Sequence, residues 1–215
     1  MPQLAVRGTV ARTGPVRAIS GAGVWAPELA FRQRRDGTLN IVDGDGGIQH
    51  DVVPASLRWA REFSPLRKAL GGHAKLAIGA PLVRGFIDLI PGTAGNRHPF
   101  RAVRINDPPA RTTHVANAVA GLAKAFPDLG PVEVTRTWAG YIDLTPDFIP
   151  VLGPVADVPG LVIAAGMSGH GFMLGPVAGR IVADVALKGH TMLEIAPFRL
   201  SRFADGTSLG PRLVI

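Results

Sequence analysis

One stretch restricts this chain more than any other: Leu161 to Gly189. It begins Leu-Val-Ile-Ala-Ala, a short apolar run of buried-strand type. Gly166-Met167-Ser168-Gly169-His170-Gly171 follows and reads as a glycine-rich turn. From Phe172 to Lys188 the period is helical: Met173, Val177 and Ile181 form one stripe, with Leu174, Ala178 and Val185 beside it. Pro176 is expected in the first turn of that helix, where a missing N–H costs little, and Gly189 supplies a stop. Strand, glycine turn and helix in this order favour anion binding, because the helix's free N–H groups and positive dipole end meet whatever sits at the turn.

Three readings of this layout stay open. In a Rossmann unit Gly169-His170-Gly171 would open the fingerprint, but the third glycine, Gly175, comes one position late. Such a unit also needs a second parallel strand leading to an acidic residue; Glu194 is near the required distance, without a convincing strand before it. The second reading is a buried helix with a glycine start. The third is a helix end aimed at a flavin, and it depends on what lies upstream.

Composition limits the function classes. With 215 residues, 47% hydrophobic and 18% charged, the chain has a globular composition and enough length for one large core or two small ones. The formal charge of +7 raises nucleic acid as a partner. The arginines, however, are spread from Arg7 to Arg212, and the densest cluster, Arg32-Gln33-Arg34-Arg35, has no interleaved aromatic residues. A solvated strand face accounts for it, and no nucleic-acid partner is expected. The six histidines lack paired ligand spacing, so no metal is expected. No apolar run is long enough for a transmembrane segment, since Gly175, Pro176, Gly179, Arg180 and Asp184 interrupt the final helix. The first residues lack the basic-then-apolar order of a signal peptide, and cysteine is absent. These features lead to the expectation of a cytoplasmic protein.

Along the chain, Leu4 to Arg12 alternates as a strand. Asp36-Gly37 reads as a two-residue hairpin turn, with Leu29 and Phe31 facing Leu39 and Ile41. Pro54 opens a helix ending near Gly71-Gly72. Leu76 to Leu89 reads as one or two strands, bent near Pro81 or Gly85, and Phe100 to Ile105 as another. Thr112 caps a helix with the stripe Val115, Val119, Leu122 and Phe126. Val132 to Ile142 is the last long strand. The predicted fold class is therefore α+β, a mostly antiparallel sheet with flanking helices plus the C-terminal strand-turn-helix.

Two segments together resemble the D-amino-acid oxidase-like family of FAD-dependent oxidoreductases, which includes glycine oxidase, sarcosine oxidase beta subunits, D-amino-acid dehydrogenases and opine-oxidase-like enzymes. The first is Trp138-Ala139-Gly140-Tyr141-Ile142-Asp143-Leu144-Thr145-Pro146-Asp147, then Pro150 and Gly153. The second is Gly160-Leu161, Ala165-Gly166-Met167-Ser168-Gly169-His170-Gly171-Phe172, then Gly175-Pro176 and Gly179. Weaker likenesses are Leu29-Ala30-Phe31-Arg32-Gln33 and Pro197-Phe198-Arg199-Leu200-Ser201-Arg202-Phe203. The likeness covers almost the whole chain, aligned to the C-terminal part of the family. It implies a substrate-binding domain over 1–140 and the C-terminal part of an FAD-binding domain over 141–215.

The resemblance implies FAD as cofactor and an amine or amino acid as substrate, oxidised by hydride transfer to flavin N5. It places Gly166, Met167, Ser168, Gly169, His170, Gly171 and Phe172 at the flavin, with the N–H groups of Met167 to Gly171 acting as an oxyanion hole does. Thr145-Pro146-Asp147 reads as a turn shaping the cofactor wall. No residue is assigned a catalytic role. Family members also carry an N-terminal G-x-G-x-x-G unit for the FAD pyrophosphate. Here Gly21-Ala22-Gly23 is followed by Val24-Trp25-Ala26, so that unit is absent from Met1 to Gly47. The expectation is the C-terminal portion of a flavoenzyme, whose partner would be a chain carrying the nucleotide-binding half. The alternative is a non-catalytic fragment or accessory subunit that binds no FAD alone.

Substrate residues are the second departure. Amino-acid oxidases of the family often place a carboxylate-holding arginine just after the W-x-G, where this chain has Tyr141-Ile142. Trp138 and Tyr141 are the expected substrate contacts. Arg136 is either a substitute for the arginine or an edge residue in solvent. Secondary or N-substituted amino acids are the expected substrates.

Overall fold

A computed structural model of the chain describes residues 1–44, 48–69, 75–98, 106–207 and 210. The chain divides into two compact units: Met1–Ala5, Val52–Gly72 and Ile142–Ile215 form the first, and Val6–Asp51 with His73–Tyr141 form the second.

The second unit is built on a twisted sheet. Its strands are β1 (Leu4–Pro15), β2 (Gly23–Ala26), β3 (Leu29–Gln33), β4 (Thr38–Asp43) and β5 (Ile48–Asp51). After α1 (Pro54–Arg58) and α2 (Ser64–Ala69) of the first unit come β6 (Lys75–Ala77), α3 (Ala80–Leu89), α4 (Ala94–Arg97), α5 (Thr112–Ala125) and β7 (Val134–Leu144). The order across the sheet is β2-β3-β4-β1-β5-β6, and β7 also pairs with β1. Pairs β2/β3, β3/β4, β1/β4 and β1/β5 are antiparallel; β5/β6 is parallel.

Hairpin β3/β4 sets the core. Phe31 lies opposite Ile41 and Gln33 opposite Leu39, and Leu29, Phe31, Leu39 and Ile41 join Ala11, Ala118 and Leu122 in one buried cluster. Complete burial of Leu39 and Ile41 stabilises the fold by about 1.5–3 kcal/mol each. Phe126, at the end of α5, meets Phe31 edge-on with ring centres 5.5 Å apart. Gly121 lets α5 come close: a Cβ there would lie 2.5 Å from the Glu28 carbonyl oxygen.

The hairpin turn is longer than the expected two residues. Arg34 N–H donates to Thr38 O (2.8 Å) and Gly37 N–H to Arg34 O (3.0 Å). The loop is thus Arg35-Asp36-Gly37, with Gly37 at φ +80° closing it as a bulge. The segment 76–89 is only briefly a strand; Pro81 sits in the first turn of a helix instead. Val83, Phe86, Ile87 and Ile90 recur at helical spacing, a period that alternation would have excluded. The single helix expected after Pro54 is two, α1 and α2, separated by a turn over 59–63, with Pro65 in the first turn of α2. In α5 Arg111 rather than Thr112 occupies the N-cap, and the buried positions are His114, Ala118 and Leu122. The strand expected over Phe100 to Ile105 lies outside the described residues.

In the first unit, β8 (Val151–Pro154) pairs antiparallel with β9 (Val162–Ala165), and α6 (Gly171–Lys188) packs on both. Leu152, Ala178, Ile181 and Val185 form its buried cluster. The stripe of α6 is therefore rotated from the expected one: Met173 is 80% exposed. Pro176 lies inside the helix, past its first turn. Gly189 ends it at φ +77°, donating to the Val185 carbonyl. Among the described residues β9 pairs only with β8, antiparallel, and has no parallel neighbour. The strand, glycine turn and helix themselves are as expected.

Candidate functional site

The turn between β9 and α6 is held by Asp143, near the end of β7, and by Thr145 just after it. Asp143 Oδ2 accepts the Gly166 N–H at 2.7 Å and Gln3 Nε2 at 3.0 Å, and its carbonyl accepts Ser168 N–H at 3.0 Å. Ser168, 4% exposed, accepts Thr145 N–H through Oγ and donates to the Gly166 carbonyl, both at 3.2 Å. Thr145 in turn donates to Ile149 O at 2.9 Å. This mesh holds Gly166, Ser168 and Gly169 at φ +69°, +49° and +87°. For Ser168 the left-handed backbone costs about 1–2 kcal/mol, offset by its hydrogen bonds. At Gly166 a Cβ would run into the Thr145 methyl group, so only glycine fits.

The outcome is a set of main-chain donors that the described residues leave unused. Among the described residues, the N–H groups of Met167, Gly169, Gly171 and Phe172 have no protein acceptor. They sit at the positive end of α6, an 18-residue helix. His170 is the N-cap. Its main chain closes the turn by donating to Met167 O (2.9 Å) and accepting from Met173 and Leu174 N–H, while its imidazole is exposed. Phe172 is 98% exposed. Of the N–H groups expected to face a cofactor, those of Ser168 and His170 are instead taken up by Asp143 O and Met167 O.

The Thr145-Pro146-Asp147 turn is buried, and a residue that sequence reading left without a role explains how. Arg202, 2% exposed, forms a two-pronged ion pair with Asp147: Nε to Oδ2 at 2.8 Å and Nη2 to Oδ1 at 3.2 Å. Its remaining donors reach Ile149 O at 2.6 Å and Arg199 O at 3.0 Å. The signal in the sequence was an arginine in the aromatic stretch Phe198 to Phe203, downstream of a lone Thr-Pro-Asp.

In the second unit the three expected substrate residues separate. The guanidinium carbons of Arg136 and Arg12 lie 5.8 and 5.4 Å from the Trp138 ring centre, a stacked group that leaves Arg136 exposed. Tyr141 instead lines a cleft of about 720 Å³ with Arg7, Asp51, Ile78, Pro109 and Arg111. Arg7 and Arg111 were not singled out from sequence. Arg7 is 5% exposed and donates from Nη2 to Asp51 Oδ1 at 2.8 Å and from Nη1 to Pro109 O at 3.3 Å. Arg111 Nη2 reaches the same Asp51 oxygen at 3.2 Å, as does Gln49 Nε2 at 2.8 Å. Nearby, Asp43 pairs with His114 at 2.9 Å. Burial raises its carboxyl pKa, but hydrogen bonds from His114 and Asn117 outweigh this and hold it below the usual carboxylate value.

Comparison with known proteins gives this geometry a context. The sequence matches the family described as FAD dependent oxidoreductase over residues 3–185. The chain belongs to that family. It is 28% identical over 209 residues to glycine oxidase of Geobacillus kaustophilus, covering 86% of this chain and 54% of that one. It is 40% identical over 78 residues to human peroxisomal sarcosine oxidase, covering 36% of this chain and 20% of that one. Among solved structures, the L-amino acid deaminase of Proteus myxofaciens, in complex with anthranilate, superposes with a TM-score of 0.81 at 26% identity, over 94% of this chain and 45% of that one. The chain thus spans about half the length of the relatives it matches along most of its own length.

The family's cofactor is FAD, and the turn fits it. Four N–H donors and a helix dipole suit the polar edge of a flavin ring, where negative charge develops on reduction. Gly169 holds φ +87°, and a Cβ there would meet the Ile142 side chain at 3.8 Å. No described helix is long and apolar enough to cross a membrane.

Proposed function

We propose that this chain is the flavin-edge and substrate-binding portion of an enzyme that oxidises amines or amino acids. The observation that carries the reading is the turn: four unpaired N–H groups, held rigid by Asp143, Thr145 and Ser168, in a chain of an FAD-dependent family. The chemistry that FAD would supply when bound is a hydride acceptor for the substrate's α-carbon, the amine becoming an iminium ion. Met167, Gly169, Gly171 and Phe172 would supply N–H groups to the flavin's carbonyl edge, with the α6 dipole behind them. Their positions are set before any ligand arrives, so little reorganisation is needed during reaction.

The second unit is the proposed substrate-binding portion, and the segment from Ile142 onward, with Met1–Ala5 and Val52–Gly72, the flavin side. No charged clamp follows Trp138-Ala139-Gly140. The reading therefore favours secondary or N-substituted amino acids, whose amine substituent would make apolar contact with Tyr141 or Trp138. A partner chain or segment would supply the pyrophosphate contacts. The alternative, a fragment that binds no FAD alone, is favoured by the lack of a G-x-G-x-x-G within Met1 to Gly47.

The test joins the chain to a nucleotide-binding half from a family member. Turnover of sarcosine, proline, an opine and D-alanine is then compared with an artificial electron acceptor. Preference for sarcosine, proline or the opine supports the reading; preference for D-alanine overturns the substrate class. Bound FAD with no turnover of any substrate gives the fragment alternative.

A further inference from the structure

Two arginines in the cleft of the second unit have more donors than the protein uses. Arg7 Nη2, Arg111 Nη2 and Gln49 Nε2 all converge on a single oxygen of Asp51. Within this hydrogen-bonded cluster one carboxylate answers two guanidinium groups, while a second carboxylate, Asp107, lines the same cleft. Among the described residues, both Nε atoms, of Arg7 and of Arg111, are buried without a hydrogen-bond partner. Leaving such donors unpaired in the interior is costly, so each takes an ordered water or a ligand group. Arg111 is also held in place by its main chain, whose N–H donates to Thr9 Oγ1 at 3.2 Å. Its side chain is 40% exposed, so it is reachable from solvent, whereas Arg7 lies beneath it at 6%.

We propose that Arg7 and Arg111 form the carboxylate-holding site of the cleft that Tyr141 lines, doing the work that the sequence after Trp138 does not provide. The proposal rests on the amino-acid reading above and adds the residues that recognise the acid group. A planar carboxylate accepts parallel bonds from guanidinium N–H groups, and the phenol of Tyr141 offers a further hydrogen bond. Ile78 and Pro109 give the cleft an apolar wall for the remainder of the ligand. Asp51 tempers the site: it keeps the arginines aligned and competes with the ligand for them.

Binding is measured on the chain itself, without flavin, by titration calorimetry at constant ionic strength. Benzoate is the probe, benzamide its neutral counterpart and sulfate a competing anion of different shape. Benzoate is expected to bind at least about tenfold more tightly than benzamide, and Arg111→Gln to lose that margin, since one charged hydrogen bond is worth about that factor. Arg111→Lys should recover part of it. Asp51→Asn should tighten benzoate binding, an effect that a purely structural role for Arg111 would not produce. Equal binding of benzoate and benzamide, no binding of either, or undiminished binding by Arg111→Gln would overturn the proposal. Sulfate displacing benzoate at equal concentration would overturn the carboxylate assignment. Should Asp51→Asn not fold, the Arg111 variants decide. Failure here while the fused enzyme still oxidises amino acids sinks only this site; carboxylate binding without any oxidation sinks the catalytic reading instead.

Discussion

Two arginine–aspartate clusters, one in each unit, use the same chemistry to opposite ends. Around Asp147 the accounting is closed: Arg202 places Nε and Nη2 on the carboxylate and its other bonds on the Ile149 and Arg199 carbonyls. Around Asp51 it is open: two guanidinium groups share one oxygen, and two Nε atoms have no partner among the described residues. A satisfied buried ion pair fixes geometry and has nothing left to offer a ligand. An oversupplied one keeps donors for something that arrives from outside. The Arg202 cluster accordingly ties the chain's last segment to the turn below the glycine cradle, while the Arg7–Arg111 cluster faces a cleft.

The largest effect is expected from breaking the closed cluster. Arg202→Met should cost about 3–5 kcal/mol, because Asp147 is left as an uncompensated buried charge. Urea unfolding followed by tryptophan fluorescence measures it, and no small anion should restore the loss. A cost no larger than that of a surface substitution would show that the pair is not the tie described.

The open cluster should respond differently. Asp51→Asn is expected to lose about 1.5–3 kcal/mol as its charged hydrogen bonds weaken. Added benzoate should return part of that stability, since a ligand that binds only the folded state stabilises by mass action. Thermal melts with and without benzoate make the contrast; equal responses of Asp51→Asn and Arg202→Met would erase the distinction.

A smaller effect is expected at the cradle. Gly166→Ala forces a side chain into left-handed backbone at about 1–2 kcal/mol, and its methyl also meets Thr145. The loss should appear in stability without change in far-ultraviolet circular dichroism. Gly175→Ala, where a Cβ meets nothing within 4 Å, is the control and should be neutral or stabilising.

The least effect comes with acid. The Asp43 carboxyl titrates below its ordinary value of 3.8. A depressed carboxylate stabilises the fold fully above that value and loses its contribution as pH falls through the folded pKa. Stability measured between about pH 5 and 3 should therefore fall less steeply in Asp43→Asn than in the parent protein. Parallel curves would remove Asp43 from the acid response.

Much of the fold was legible because its signals are local. Gly37 after Asp36 marks a turn wherever it occurs, and Leu29, Phe31, Leu39 and Ile41 alternate as a half-buried hairpin must. Errors came where a local rule had two solutions. The run from Leu76 to Leu89 is apolar enough for either element, and Pro81 reads as a bend in a strand or as the first turn of a helix. On α6 apolar residues lie on more than one face, so periodicity found a stripe at Met173 and Val177 that packing left exposed.

The sequence alone determined the glycine turn and its place between a strand and a helix. Positive φ at Gly166 and Gly169 and a helix start at Gly171 are requirements of the chain within a few residues. Only the tertiary structure decided which side chains act together at long range. Arg7, Asp51 and Arg111 are separated by 44 and 60 residues, as Asp147 and Arg202 are by 55. No periodicity or motif relates residues so far apart. Sheet register and helix packing alone bring one carboxylate to two guanidinium groups, and whether their donors end up satisfied or spare depends on every neighbour that burial supplies.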